Sequence, residues 1–342
     1  MKCVFYFKSV NALGGVETFL YNLSKKYEFT FYYKKGDPKQ IERLSKNILV
    51  KKYKDGEKIV CDKFFMNYNP DILDNVEAKE YIMMIHCDYE KVKLACPIIN
   101  PKFTKYLGVS QLVCDVHEKM TGLKAELCYN PVYLDIPQVK KKTDKIHIIC
   151  ASRMSSEKGG WRIDKFKEMM DKSGIDYDLT IYTNKKLNFR SPNVILKQPK
   201  LDLTKEMAEA TYLLQLSDAE AYCYSVVESL VLGIPVIITD LPVYNELGID
   251  DKCSIKIDLD MKNFNPKDLL KEFSFKYNPP KDNWDKYLPT TKTYKPYNVK
   301  VKVLKQKLWL VEEDLHLVKG DIIELPIVRA NTLEAKEYVE VL

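Results

Sequence analysis

Short apolar runs alternate with amphipathic helical patterns through most of this 342-residue chain. A strand buried on both faces reads as a continuous apolar run, and a parallel neighbour is reached only through a crossover, usually a helix, so the alternation selects a doubly wound α/β fold. In the first half the strand candidates are Lys2–Phe7, Phe29–Tyr33, Tyr81–His86 and Tyr106–Val109. A helix is expected from Val16 to Lys26, with Phe19, Leu20 and Leu23 on one face. Tyr129-Asn130-Pro131-Val132 closes this half, and Lys140-Lys141-Lys142-Thr143-Asp144 follows as a polar hinge. A second strand series runs through Ile146–Ala151, Leu179–Tyr182, Val194–Leu196, Tyr212–Leu216, Pro235–Thr239 and Ile255–Ile257. Two α/β halves on a hinge imply a cleft, with ligands outside the carboxyl ends of the strands.

Beyond about residue 275 the pattern changes. Pro279-Pro280, Pro289 and Pro296 punctuate a linker, and Val299–Val311, His316–Leu325 and Tyr338–Leu342 read as strands of a compact all-β unit. The expected domains are therefore 1–142, 143–275, a linker over 276–296, and a small β module over 297–342.

Composition excludes several classes. Hydrophobic residues are 46% and charged residues 30%, enough for real cores and unlike a disordered chain. The most apolar stretch, 225–243, carries Glu228 and Asp240, so no membrane span is expected. Lys8 closes the first apolar run too early for a signal peptide. Nine cysteines without a C-x-x-C pair read as reduced thiols, which points to the cytoplasm. The net charge of +6 sits in the first 142 residues, with 24 Lys+Arg against 17 Asp+Glu. That excess suits an anionic surface, with peripheral membrane contact or nucleic acid as options, but a solvated lysine-rich surface explains it as well. The lysine-rich segment Lys34–Lys63 is read as a solvated helix face.

Three constellations carry chemistry. In the segment from Asp218 to Asp240, strand, loop, helix, turn and strand follow one another. Ser225 is the expected N-cap, with Ser225-x-x-Glu228 as a capping box, and Gly233 with Pro235 ends the helix. A helix opening there aims free N–H groups at a bound diphosphate. Glu220 falls in the preceding loop and Glu228 in the first turn, so both can address one ligand only from that arrangement. Plain capping explains Glu228 and a solvated loop acid explains Glu220 equally well. The second constellation, Arg153-Met154-Ser155-Ser156-Glu157-Lys158-Gly159-Gly160, places two cations five residues apart after a buried strand, where they can converge on an anion or simply flank a turn. In the third, Gly14 and Gly15 separate the first strand from the first helix, a turn that also permits close backbone approach to a phosphate. The dinucleotide pattern G-x-G-x-x-G is missing. His86 ends a strand and is a candidate for hydrogen bonding to a substrate hydroxyl. His117, His147 and His316 have no nucleophile pattern beside them, which argues against a hydrolase triad.

These segments, in this order and spacing, resemble the retaining GT-B glycosyltransferases that use nucleotide sugars. The resemblance covers roughly residues 1–270. It rests on Gly14-Gly15-Val16-Glu17, Tyr129-Asn130-Pro131-Val132, Arg153-x-x-x-Glu157-Lys158-Gly159, and Glu220-x7-Glu228 followed by Gly233-x-Pro235-Val236 and Thr239-Asp240. The sequence departs from the pattern at Ala151-Ser152, at Tyr222-Cys223 where an aromatic-glycine pair is common, and at Thr183-Asn184. The resemblance implies two Rossmann-like domains facing a cleft, an N-terminal one for the acceptor and a C-terminal one for the donor. It also implies sugar transfer from a UDP- or GDP-linked donor to a hydroxyl with retention, without cofactor or metal.

By the same resemblance, Arg153 and Lys158 bind the diphosphate and stabilise the leaving group. Glu228 accepts the ribose hydroxyls, Glu220 orients the sugar, and His86 contacts sugar or acceptor. The backbone at Tyr224, Ser225 and Val226 completes the phosphate cradle, with Gly14 and Gly15 beside the donor. The terminal β unit looks like an SH3-like module of the kind appended to many bacteriophage proteins, which implies a phage-type transferase. The acceptor is open: a glycan, a lipid-linked glycan, a protein or modified DNA bases. The competing readings are an inactive GT-B-fold protein that binds nucleotide or glycan, and a phosphorolytic enzyme, which the absence of a pyridoxal-lysine signature disfavours.

Overall fold

A computed structural model describes the whole chain except residues 68–69, 93–95, 139–144, 186–190 and 291. The expected hinge at Lys140–Asp144 lies outside the described residues. The first half contains β1 (Cys3–Val10), α1 (Gly15–Lys26), β2 (Thr30–Gly36), α2 (Pro38–Ser45), β3 (Leu49–Lys52), β4 (Ile59–Met66), β5 (Val76–Ile85), β6 (Lys105–Gly108), α3 (Gln111–Thr121) and β7 (Glu126–Leu127). Their sheet has the order β3-β2-β1-β4-β5-β6-β7, with β1 parallel to β2 and β4. The second half contains β8 (Ile146–Cys150), α4 (Gly160–Ser173), β9 (Tyr177–Tyr182), β10 (Val194–Lys197), α5 (Thr204–Ala208), β11 (Tyr212–Gln215), α6 (Tyr224–Val231), β12 (Val236–Thr239), α7 (Pro242–Glu246) and β13 (Ser254–Ile257). These strands form a six-stranded sheet in the order β10-β9-β8-β11-β12-β13, parallel in every pair. In each sheet the strand order reverses once, between β1 and β4 and between β8 and β11, and ligands of open α/β sheets gather at such reversals.

The third series comprises β14 (Asn298–Val303), β15 (Lys307–Leu310), β16 (Leu315–Val318), β17 (Ile322–Pro326), α8 (Ile327–Ala335) and β18 (Val339–Val341). Its sheets are β17-β14-β18 and the hairpin β15-β16. The expected strands are there, but the unit is not all-β. Helix α8 sits between the last two strands because its apolar residues Ala330 and Leu333 pack on Val301, Val303 and Val339 of the sheet.

By packing, the chain divides into two compact units. One comprises Met1–Ile85, Ile98–Leu107 and Asn283–Leu342, the other His86–Pro97 and Gly108–Asp282. In the first unit Phe5 stacks on Phe65 at 4.4 Å, and Trp284, fully buried, closes on Phe5, Phe19 and Phe65. Burying aromatic and aliphatic side chains of this kind contributes about 1.5–3 kcal/mol each. The terminal series belongs to this unit too. Asn331 on α8 donates from Nδ2 to Ser45 Oγ (3.0 Å) and to the Val50 carbonyl (3.1 Å), both in buried surroundings.

The segment Lys34–Lys63 departs from the helical reading. Helix α2 covers only Pro38–Ser45, started by Asp37, whose side chain accepts from the Lys39 and Gln40 amides. Lys51 and Lys52 lie on the edge strand β3, and Ile59–Met66 is strand β4. Asp62 and Lys63 disguise that strand. Lys63 keeps its stem buried and turns its ammonium to the Lys286 carbonyl at 3.3 Å. Part of the basic excess is also compensated, since Lys54 pairs with Glu340 and Lys52 with Glu337. All nine cysteines are free thiols, and no helix among the described residues is long and apolar enough to cross a membrane.

Candidate active site

The loops that follow the adjacent strands β8 and β11 are laced together. After β8 the chain makes a single 3-10 turn over Ser156–Lys158, and Gly159, at φ 71°, starts α4. That glycine is dictated by its surroundings. A Cβ there would overlap the Leu216 carbonyl oxygen and stand 2.7 Å from its carbon. The Asp218 amide donates to the Glu157 carbonyl at 2.9 Å, and Thr239 Oγ1 donates to the Ser217 carbonyl at 2.6 Å. Arg162 fastens the same region from below, with its side chain 5% exposed. Its Nη1 reaches Asp218 Oδ1 (2.6 Å) and the Leu216 carbonyl (3.1 Å), while Nε donates to the Leu259 carbonyl (2.7 Å).

On this frame Lys158 Nζ meets Glu220 Oε1 at 2.7 Å, with side chains only 19% and 9% exposed. The same carboxylate oxygen accepts from Ser217 Oγ (2.7 Å) and Gln215 Nε2 (3.1 Å). Glu220 is therefore oriented by two neutral donors as well as by the cation. Burial works against the Lys158 ammonium, but the charge and hydrogen bond of Glu220 outweigh it and hold its pKa above the usual lysine range. The result is a buried, fully protonated cation at the carboxyl end of the sheet.

Helix α6 begins one residue before the expected cap. Cys223 precedes it in the left-handed region at φ 64°, and Ser225 lies inside the first turn, so neither the Ser225 cap nor the capping box with Glu228 forms. The cause is tertiary. Tyr224 is buried and its hydroxyl donates to the Pro131 carbonyl at 3.1 Å, which fixes the start of the helix. Ser225 Oγ instead meets Cys223 Sγ at 3.5 Å. Glu228 then stands on the helix, partly buried, with its charge felt by Tyr222 and Tyr224, while Glu220 stays in the loop. Val226 is fully buried. Gly233, at φ 75°, follows the helix end as the sequence implied.

Arg153 and Lys158 do not converge on one carboxylate. The Arg153 side chain is 72% exposed and pairs with Glu157 at 3.3 Å. It is still close enough that its charge works against that of Lys158. His86 follows β5, and the segment it opens packs in the second unit. Burial pushes its imidazole down to about 3, so the ring is neutral at ordinary pH. The next residue, Cys87, lies in the same second unit as Lys158 and Glu157 and feels the charges of both. Gly14 and Gly15 belong to the first unit, at the start of α1. The backbone at Gly14 is extended, and the side chain of Glu17, bound to the Asn11 amide at 2.8 Å, occupies the space a Cβ would need.

Sequence reasoning missed Gln215, Ser217, Asp218 and Arg162 as supports of this site. The one available signal was a second Arg two residues after the glycine pair, in the first turn of the helix that the pair opens. Among the described residues, no three His, Cys, Asp or Glu side chains gather as they would around a metal ion.

No family model matches the sequence, and neither does any curated protein. Solved structures do. HepE of Anabaena, solved with UDP and glucose, matches with a TM-score of 0.59 at 14% identity, over 75% of this chain and 86% of that one. A glycosyltransferase from Rickettsia africae matches at 0.56 and 13%, over 75% and 84%. WaaG, a glycosyltransferase involved in lipopolysaccharide biosynthesis, matches at 0.54 and 15%, over 78% and 88%. Two Rossmann-like parallel sheets with smaller terminal sheets, as in these structures, give this chain the GT-B architecture.

Proposed function

We propose that the protein is a retaining glycosyltransferase that moves a sugar from a nucleoside-diphosphate sugar to an acceptor hydroxyl. The observation that carries the reading is the Lys158–Glu220 pair, placed where the order of the second sheet reverses and built on loops that only Gly159 allows to approach. Negative charge develops on a departing diphosphate as the glycosidic bond breaks, and a preorganised, permanently protonated amine in a partly dehydrated site is the group that stabilises it. Lys158 supplies that charge. When it turns to a phosphate, Glu220 remains held by Ser217 and Gln215 and is free to accept sugar hydroxyls. The exposed Arg153 adds a second, mobile cation for the same anion. Glu228 would receive the ribose hydroxyls, and the amides of Tyr224, Ser225 and Val226 the phosphate. A neutral His86 can exchange hydrogen bonds with the transferred sugar or the acceptor but carries no charge to the reaction.

The UDP and glucose bound to HepE favour a uridine donor. In this mechanism the leaving phosphate oxygen takes the proton of the acceptor hydroxyl as the new bond forms on the face the diphosphate leaves, and no protein base is needed. A panel of UDP, GDP and CDP sugars, incubated without acceptor, tests the proposal. One of them should be slowly hydrolysed, and NMR should find the first-formed product in the donor's anomeric configuration. Binding of nucleotides without any turnover would leave a binding protein instead. Inversion would remove the same-face mechanism.

A further inference from the structure

The terminal hairpin β15–β16 has two faces, and the fold uses only one of them. Leu308, Leu310 and Leu317 turn inward to the core that α8 and the neighbouring sheet complete. Alternation along the strands sends Lys307 and Trp309 the other way, and the register sets Trp309 opposite His316 and Lys307 opposite Val318. The indole lies parallel to the imidazole, with ring centroids 5.0 Å apart and planes 12° from each other. Val318 and Val311 flank this aromatic plate, and Trp309 and both valines are more than half exposed. Closely spaced exposed apolar groups of this kind, rimmed by charge, mark a contact surface. The charges are divided along the strands. Lys307 and Lys319 stand at the open end, without an ion-pair partner among the described residues. Glu312 and Asp314 stand at the turn, about four residues and so about 13 Å away. Arg329 is engaged by Glu313 at 3.0 and 3.3 Å, which leaves Glu312 a looser contact at 3.8 Å and Asp314 no cation among the described residues.

We infer that the outer face of this hairpin is a self-association surface, through which two copies of the chain form a dimer centred on Trp309 and oriented by Lys307 against Glu312. An anionic surface would be drawn by the lysines and repelled by the acids, whereas a second copy of the same face answers both ends. Rotation about a two-fold axis that lies in the plane of the face and across the strands brings Trp309 near its equivalent. The same rotation lays the lysine end of each copy over the acidic turn of the other, with the Lys307 stem along Val311. An axis along the strands would set lysines against lysines, so the charge pattern selects the first arrangement. One short hairpin per copy is a small interface, and the dimer is accordingly weak and reversible. The inference stands apart from the glycosyltransferase reading, because none of these residues belongs to the candidate active site.

Sedimentation velocity of the full chain over a concentration series, at low and at high salt, tests this. The wild-type sedimentation coefficient should rise with concentration, and high salt should weaken the dimer by screening its exposed ion pairs. Trp309→Ser should raise the dimer dissociation constant at least about tenfold, as expected for a central aromatic anchor. Lys307→Glu and Glu312→Lys should each weaken the dimer. The combined swap should recover most of the loss, because it re-forms the same two contacts with the charges exchanged. All three positions are exposed, so circular dichroism melts of the variants should match the wild type. A wild type that stays monomeric at every concentration, a dimer indifferent to Trp309→Ser, or a combined swap no better than the single changes overturns the inference. Co-sedimentation of a purely monomeric protein with phosphatidylserine vesicles, lost in Trp309→Ser, overturns it too and gives the face to a lipid surface.

Discussion

Gly159 and Gly160 are neighbours in sequence and opposites in consequence, which makes them a stringent test of the site's construction. At Gly159→Ala the new Cβ carries two penalties. The left-handed backbone costs a non-glycine residue about 1–2 kcal/mol. The methyl group also collides with the backbone carbonyl of Leu216, not with the end of a flexible side chain, so relief requires the two loops to separate. That separation breaks the Asp218–Glu157 backbone bond and loosens the Arg162 staple, and the sum is expected at about 3–5 kcal/mol, the range reserved for strained or overpacked core positions. For a unit of this size the midpoint should fall by roughly 2–4 °C per kcal/mol. Gly160→Ala meets only the Ser155 carbonyl oxygen at 3.5 Å and the Met154 carbonyl at 4.0 Å, both ordinary contacts, in the first turn of a helix. It should be neutral or stabilising by up to about 1 kcal/mol. Urea melts followed by circular dichroism, together with donor hydrolysis, would read both variants. A Gly159→Ala protein as stable as wild type, or a Gly160→Ala protein as damaged as Gly159→Ala, would refute the claim that this close approach builds the site.

Further perturbations separate chemistry from support. Lys158→Ala should lower turnover by about 10²-fold or more, since the leaving group loses its buried cation, while Ser217 and Gln215 still satisfy Glu220; wild-type turnover in a steady-state assay would exclude the assigned role. His86 titrates near 6.5 when unfolded and at about 3 when folded, so the unfolded chain binds the extra proton as pH falls below 6.5 and stability is lost in that direction. Between pH 7 and pH 5 this amounts to about 1–2 kcal/mol, and His86→Gln should flatten that part of the denaturation profile. Asn331→Ala strands Ser45 Oγ and the Val50 carbonyl in a buried place and should cost about 1–3 kcal/mol, read as an earlier urea transition; no shift would mean that α8 does not brace α2.

The second half of the chain was the more legible. Its inner strands carry short β-branched or aliphatic runs, such as Ile148-Ile149 in β8 and Val236–Thr239 in β12, because parallel strands covered on both faces tolerate little else. Strand β4 escaped notice because Asp62 and Lys63 interrupt its apolar run, and both are accommodated only through partners far away in the chain, Lys79 for Asp62 and Lys286 for Lys63. The capping pattern at Ser225 was locally sound. It yielded to Tyr224, whose hydroxyl is claimed by Pro131 from 93 positions earlier.

Hydrophobic spacing by itself determined that this protein has two α/β sheets, and the order of its glycines, cations and carboxylates determined which loops end where ligands gather. Those are local properties, written in runs of a few residues. Only the tertiary structure decided that Lys158 faces Glu220 while Arg153 faces Glu157, that Arg162 is a staple, that Cys223 bends left-handed, and that the last sixty residues complete the first unit. Apart from the local Arg153–Glu157 pair, these depend on groups distant in sequence meeting at a particular separation, and Coulomb forces, hydrogen bonds and steric exclusion act on separations that the linear order does not contain.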